Sequence, residues 1–187
     1  PVSTPANLIS GGSAQSNQVS ISQVLNIQPP IPPQFGTLVY NVTPSYPVSN
    51  NLTCTGQPFT VTVNVNPIPI IDTAFAQPDT ICFGSISTLQ AMGLPTLSPP
   101  NGIYNWTPAA QISGAATGQT ITTLPLSTTT TFIVTFTLPP NLGSCQSQAY
   151  PVTVTVQAPP NISTITAVET EFCVGGCTDI TANFVGA

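Results

Sequence analysis

Residues 59–65 read Phe59-Thr60-Val61-Thr62-Val63-Asn64-Val65, and residues 151–156 read Pro151-Val152-Thr153-Val154-Thr155-Val156. Valine at every second position, with Thr or Asn between, puts apolar side chains on one face of an extended chain and polar ones on the other. Val and Thr also suit a pleated surface. Both stretches are therefore expected as β-strands with a buried valine face. Val61, Val63 and Val65 recur as Val152, Val154 and Val156, a step of 91 residues. The cysteines keep the same step, from Cys54 to Cys145 and from Cys82 to Cys173. Each valine run leads into a proline-rich break, Pro67-Ile68-Pro69-Ile70 and then Pro159-Pro160-Asn161-Ile162. A period shared by strands, cysteines and breaks signals tandem modules.

Working outward, further strands are expected over Val19–Leu25, Thr37–Thr43, Ser85–Leu89, Ile103–Trp106, Gln119–Leu124 and Thr130–Phe136. No segment of helical length carries a 3.6-residue period. Short strands with turn signals every 8–12 residues indicate β-sandwiches. The chain is expected to be all-β, with tandem immunoglobulin-like β-sandwich modules joined by Pro-rich linkers. Residues 1–68 are read as the C-terminal part of one module, 69–160 as a complete module and 161–187 as the start of a third. The strands of the complete module are expected from about Thr80, after an exposed linker. On this reading the chain is an excerpt of a longer array.

Cysteine usage fits an oxidising exterior. A Cys82–Cys145 disulfide is expected within the complete module, with Trp106 packed in the core near it. Closing a loop of that length stabilises by roughly 4 kcal/mol in the chain-entropy model. Cys54 has no earlier cysteine to pair with, and Cys177 is left to bridge Cys173 locally or to pair elsewhere. A zinc site needs four ligands close together, and these cysteines are spread along the chain.

The chain has no Lys, no Arg and no His, and its five acids, Asp72, Asp79, Glu169, Glu171 and Asp179, give a net charge of −5. Nucleic-acid binding draws its affinity from Lys and Arg on phosphates, so it is excluded. Attraction to an anionic membrane fails likewise. The apolar runs are short and broken by Pro, so direct membrane insertion is not expected. At 41% hydrophobic with low net charge, the chain is expected to fold despite its 22 Pro. Its Ser, Thr and Cys nucleophiles have no His or Lys to activate them, so it is read as a non-enzyme with no catalytic residues and no cofactor.

Several segments together resemble a known group: Ile81-Cys82-Phe83-Gly84, Tyr104-Asn105-Trp106-Thr107-Pro108, Ser127 to Val134, Cys145, and Val152 to Val156. They resemble the Ig-like/PKD-like repeats of giant Bacteroidota cell-surface adhesins. Leu25-Asn26, Val39 to Pro44, Cys54-Thr55-Gly56 and Val61 to Pro67 resemble a PKD-like repeat of the same proteins. The resemblance implies an extracellular, surface-filament setting of the gliding-motility-adhesin kind, exported by type IX secretion. It also implies O-glycosylation at the Asp-Thr-apolar sites Asp72-Thr73-Ala74 and Asp79-Thr80-Ile81, making Thr73 and Thr80 candidate glycan acceptors.

The acids Asp72, Asp79, Glu169 and Glu171 flank the module junctions, where calcium can stiffen extracellular arrays. They are weak calcium candidates, read first as solvated linker residues. The N-glycan-type sequons, Asn51-Leu52-Thr53 among them, are read as incidental. Tyr104, Trp106, Phe132 and Phe136 are expected in the core in preference to a sugar-binding platform. The expected role is that of a stalk and spacer. Its partners would be neighbouring repeat modules and other copies in a filament. The rival expectation is a module that binds surface polysaccharide.

Overall fold

The computed structural model describes residues 1–27, 33–48, 52–96 and 102–185. Asn51 of the sequon named above lies outside them. Helix among the described residues is confined to two 3-10 turns, Ala109–Gln111 and Pro140–Leu142. Everything else of regular structure is strand, so the chain is all-β. Two compact units divide it. The first holds Pro1–Asp72, Gly93–Ile103 and Thr135–Gln148; the second holds Thr73–Met92, Tyr104–Val134 and the residues from Ala149 on.

In the first unit the strands are β1 (Val2–Thr4), β2 (Ile9–Ser10), β3 (Asn26–Ile27), β4 (Gly36–Val42), β5 (Ser45–Pro47), β6 (Thr53–Thr55) and β7 (Phe59–Val65). A three-stranded antiparallel sheet runs β1-β4-β7, with Val39 opposite Val2 on one side and Thr62 on the other. β2 pairs with β3 and β5 with β6 as short ribbons. Leu8, Ile9 and Leu38 are buried in this unit, and so are Phe136 and Leu138. Space is tight where β4 begins: a Cβ on Gly36 would lie 3.0 Å from both Ile9 Cδ1 and Leu8 Cδ2. The Phe136 ring similarly needs Gly93, where a Cβ would stand 2.5 Å from it.

The following strands are β8 (Ile70–Gln77), β9 (Thr80–Cys82), β10 (Thr88–Leu94), β11 (Ile103–Thr107), β12 (Ile112–Ser113), β13 (Thr120–Thr123), β14 (Thr130–Thr137) and β15 (Tyr150–Gln157). They make two four-stranded sheets, β12-β13-β10-β8 and β11-β14-β15-β9. Alternation decides what is inside. Leu89 and Ala91 of β10 and Ile121 of β13 are buried from the one sheet. Trp106, Phe132, Val134, Val152 and Val154 are buried from the other. The Trp106 indole N–H, which would otherwise be orphaned, donates to the Gly118 carbonyl at 3.0 Å. Ser87 is buried as well: its hydroxyl donates to the Pro78 carbonyl at 2.6 Å, and its N–H to Thr123 Oγ1 at 3.0 Å.

The last strands, β16 (Asn161–Ala167) and β17 (Ile180–Val185), form an antiparallel ribbon with a register shift between Ile162 and Thr164. This ribbon repeats an earlier pairing. β16 starts 91 residues after β8, β17 covers the period-shifted positions of β10, and β8 and β10 are themselves neighbours in a sheet.

Four expectations need correction. Val19–Leu25 is not a strand: Val19 and Val24 are exposed, and Gln23 bonds through its side chain to Ser13 and to the Tyr40 hydroxyl. With no neighbouring ladder, alternation alone does not make a strand. The stretch read as a linker before Thr80 carries β8, a member of a sheet. Ser85–Ser87 is a connection, and β10 starts only at Thr88. The valine face of β7 is also incompletely covered, with Val61 exposed and Val63 half-buried.

Candidate functional site

The expected Cys82–Cys145 bridge is not formed, and all five cysteines are free thiols. Register supplies the physical reason. Cys82 stands level with Gln157, the last residue of β15, whereas Cys145 lies in the connection that enters β15 at its first residue. The Cys145 carbonyl accepts instead from Leu138 N–H at 2.9 Å.

Asp72 lies on β8 and Asp79 in the turn between β8 and β9; both are exposed, as are Glu169 and Glu171. Among the described residues, no three acidic or cysteine side chains gather as a cation site. Backbone groups beside these acids serve the fold: the Asp79 carbonyl accepts from Thr155 N–H at 2.8 Å, and Glu169 N–H donates to Thr178 Oγ1 at 2.9 Å. Thr73 and Thr80 are both exposed, on strands β8 and β9 and not on a free linker. Of the four aromatics weighed above, Trp106, Phe132 and Phe136 are core residues and Tyr104 is half-buried.

One exposed hollow of about 260 Å³ lies in the second unit, lined by Thr73, Phe75, Gln90, Met92, Gln119 and Thr120. It offers hydroxyls and amides beside an aromatic ring and a thioether, with no charged side chain. That chemistry suits a neutral polar ligand held by hydrogen bonds and ring contact. Sequence reading missed it because β8 was taken for a linker. The alternation of Thr73 and Phe75 was the available signal.

The second feature is a pair of matching strand edges. β15 has β14 on one side and, on the other, β9 in a parallel ladder: Thr155 opposite Thr80, Val156 opposite Ile81 and Gln157 opposite Cys82. The ladder is closed at its ends by Thr155 N–H to the Asp79 carbonyl at 2.8 Å and Phe83 N–H to the Gln157 carbonyl at 3.0 Å. β7 is the counterpart of β15 in sequence, and among the described residues it is the last strand of its sheet. The segment Glu171-Phe172-Cys173 is the counterpart of β9 and lies in no strand.

The turn after each of these two segments is nevertheless the same. Ser85 N–H donates to the Cys82 carbonyl at 3.0 Å, and Gly176 N–H donates to the Cys173 carbonyl at 2.9 Å. Gly84 and Gly175, 91 residues apart, both take left-handed φ values of 78° and 93°. Only glycine enters that region without steric cost. The repeat is therefore present in backbone conformation as well as in sequence.

No curated protein matches the chain. Residues 69–158 match the family model described as the Ig-like domain, CHU_C associated, and the two-sheet domain built by these residues is accordingly Ig-like.

Proposed function

We propose that this chain is a structural repeat segment of a bacterial cell-surface adhesin or filament of the Bacteroidota kind, in which tandem Ig-like sandwiches act as stalk and spacer outside the cell. The observation that carries the reading is the recurrence of the β8–β10 pairing as β16–β17, with the Cys82 turn recurring at Cys173. A domain followed by the opening elements of another of its kind is the arrangement of an array. Neighbouring modules of the same long chain are then its principal partners. The proline-rich breaks favour extended, semi-rigid connections that keep modules apart. A surface without Lys or Arg offers no cleavage site to trypsin-type proteases, which suits an exposed scaffold. On this reading the role is mechanical, with no catalysis.

Single-molecule pulling on the full chain tests it. Residues 69–158 should unfold in one cooperative step and release roughly 3.5 Å of contour length per residue. Smooth extension without a force peak would overturn a mechanical role.

A second reading, binding of a surface polysaccharide, rests on the hollow beside Phe75 and Met92. Glycan-array binding by the chain that disappears in Phe75→Ser would favour it over the stalk.

A further inference from the structure

We infer that the hollow of the Ig-like domain is a subsite for uncharged hexose residues, with Phe75 as the platform for a sugar ring and Thr73, Gln90, Gln119 and Thr120 as its hydrogen-bonding rim. This narrows the polysaccharide reading of the hollow, on which it rests, to one ligand class. The stalk reading does not depend on it.

Alternation builds the site. Leu89, Ala91 and Ile121 are buried from β10 and β13, so Gln90, Met92 and Thr120 take the outer face of the sheet. Gln90 stands directly opposite Thr120. β8 lies on the other side of β10 and brings Thr73 and Phe75 to the same hollow. Gln119 is held at the rim by Ala91 N–H, which donates to the Gln119 carbonyl at 2.9 Å. Phe75 is 46% and Met92 45% exposed, so a ligand can reach both.

The polar groups of this rim are open. Among the described residues, none bonds to the side chains of Thr73, Gln90, Gln119 or Thr120. Elsewhere on the surface such groups pair with one another: Thr131 with Thr153 at 2.9 Å, and Gln23 with Ser13 and Tyr40. The ribbon that repeats the β8–β10 pairing gives the closest contrast. Thr164 and Asn183 stand 91 residues after Thr73 and Met92, and they face each other across β16 and β17. There Asn183 Nδ2 donates to Thr164 Oγ1 at 3.1 Å, and the positions of Phe75 and Gln90 hold Thr166 and Thr181. The ring, the thioether and the open amide therefore belong to the complete module and are no by-product of the repeat.

These groups suit a neutral sugar. The ring face of a hexose presents C–H groups of slight positive charge, which pack on the negative face of an aromatic ring. Its edge carries hydroxyls that both donate and accept, as amides and threonine hydroxyls do. Water on the rim is then replaced in kind. No lining residue is charged, and a chain of net charge −5 without Lys, Arg or His offers an acidic sugar only repulsion. At about 260 Å³ the hollow is smaller than the roughly 300–1,000 Å³ of sites for drug-sized ligands, so it takes a short stretch of a glycan. Such a contact is weak, with a dissociation constant on the order of 1 mM.

Met92 is the one methionine of the chain, so an isotope-labelled methionine methyl is a single reporter inside the hollow. The full chain carrying this label is titrated by NMR with cellotetraose, maltotetraose and mannotetraose, and separately with tetragalacturonate. At least one neutral tetrasaccharide should shift the Met92 methyl resonance saturably at millimolar concentration. Tetragalacturonate should bind at least about tenfold more weakly. Phe75→Ala should weaken the neutral sugar roughly tenfold, and Phe75→Leu, which keeps apolar bulk without a ring face, should do the same. Thr153→Ala, at an exposed position on the other sheet, should leave it unchanged.

Failure of all three neutral sugars to shift the resonance would overturn this subsite and the polysaccharide reading together. Equal or tighter binding of tetragalacturonate would overturn the subsite alone, since a polysaccharide would still bind. Undiminished affinity in both Phe75 variants would also overturn it. Unchanged Trp106 fluorescence in each variant shows that the Ig-like domain has stayed folded.

Discussion

β15 lies between β14 and β9, and its Val154 is fully buried; β7, 91 residues earlier, has β4 as its one strand neighbour among the described residues, and its Val61 is 43% exposed. The two strands share Val-Thr-Val and a following valine, so their intrinsic preferences for the extended chain are the same. What differs is the supply of neighbours. In the Ig-like domain, β9 completes the edge and a second sheet contributes Leu89 and Ile121 to the buried set. The alternating pattern thus specifies a strand and the face it would bury, while the burial itself depends on other elements being present.

The largest way to break this contrast is to empty the well-packed side. Trp106→Ala should destabilise the Ig-like domain by about 3–5 kcal/mol, read from denaturant unfolding by circular dichroism. A difference under about 1 kcal/mol would mean that the sandwich core is not where Trp106 lies. A sharper comparison takes the period-matched valines. Val152→Ala should cost about 1–2 kcal/mol, whereas Val61→Ala should stay within about 0.5 kcal/mol. Equal costs would show that β7 is as well covered as β15.

Smaller effects are expected from the cysteines. Cys82→Ser, at an exposed position, should change stability by less than about 0.5 kcal/mol, against the 2–5 kcal/mol typical of losing a native disulfide. Non-reducing peptide mapping should recover Cys82 and Cys145 as free thiols. The smallest effect concerns charge. With no Lys, Arg or His there are no side-chain ion pairs for salt to screen, so the unfolding midpoint should be nearly the same at low and physiological sodium chloride. The surface is linked by hydroxyls instead: Thr131 and Thr153 share a hydrogen bond of 2.9 Å across β14 and β15.

Much of the fold was legible because short-range pattern and long-range period agreed. The Val-Thr alternation located β7 and β15, and Tyr104-Asn105-Trp106 marked β11 with its buried indole. Other parts were not legible, for physical reasons. The ladder between β9 and β15 is parallel and non-local, so no hairpin turn announces it or the place of Cys82 opposite Gln157. β8 was hidden by its Asp, Ala and Gln, which are poor strand formers, and the hollow at Phe75 was hidden with it. Val19–Leu25 shows the converse, an alternating run left without an edge to join. The matching turns at Cys82 and Cys173 could have been found earlier, since Gly84 and Gly175 keep the same period as the cysteines.

Amide hydrogen exchange on the intact chain tests the central claim most directly, because it reads the two period-matched strands in one experiment. The account predicts slow exchange at Thr155, whose N–H donates to the Asp79 carbonyl inside the β9–β15 ladder, and faster exchange at Asn64 on β7. Equal protection of Asn64 and Thr155 would contradict it, because β7 would then be as well covered as β15.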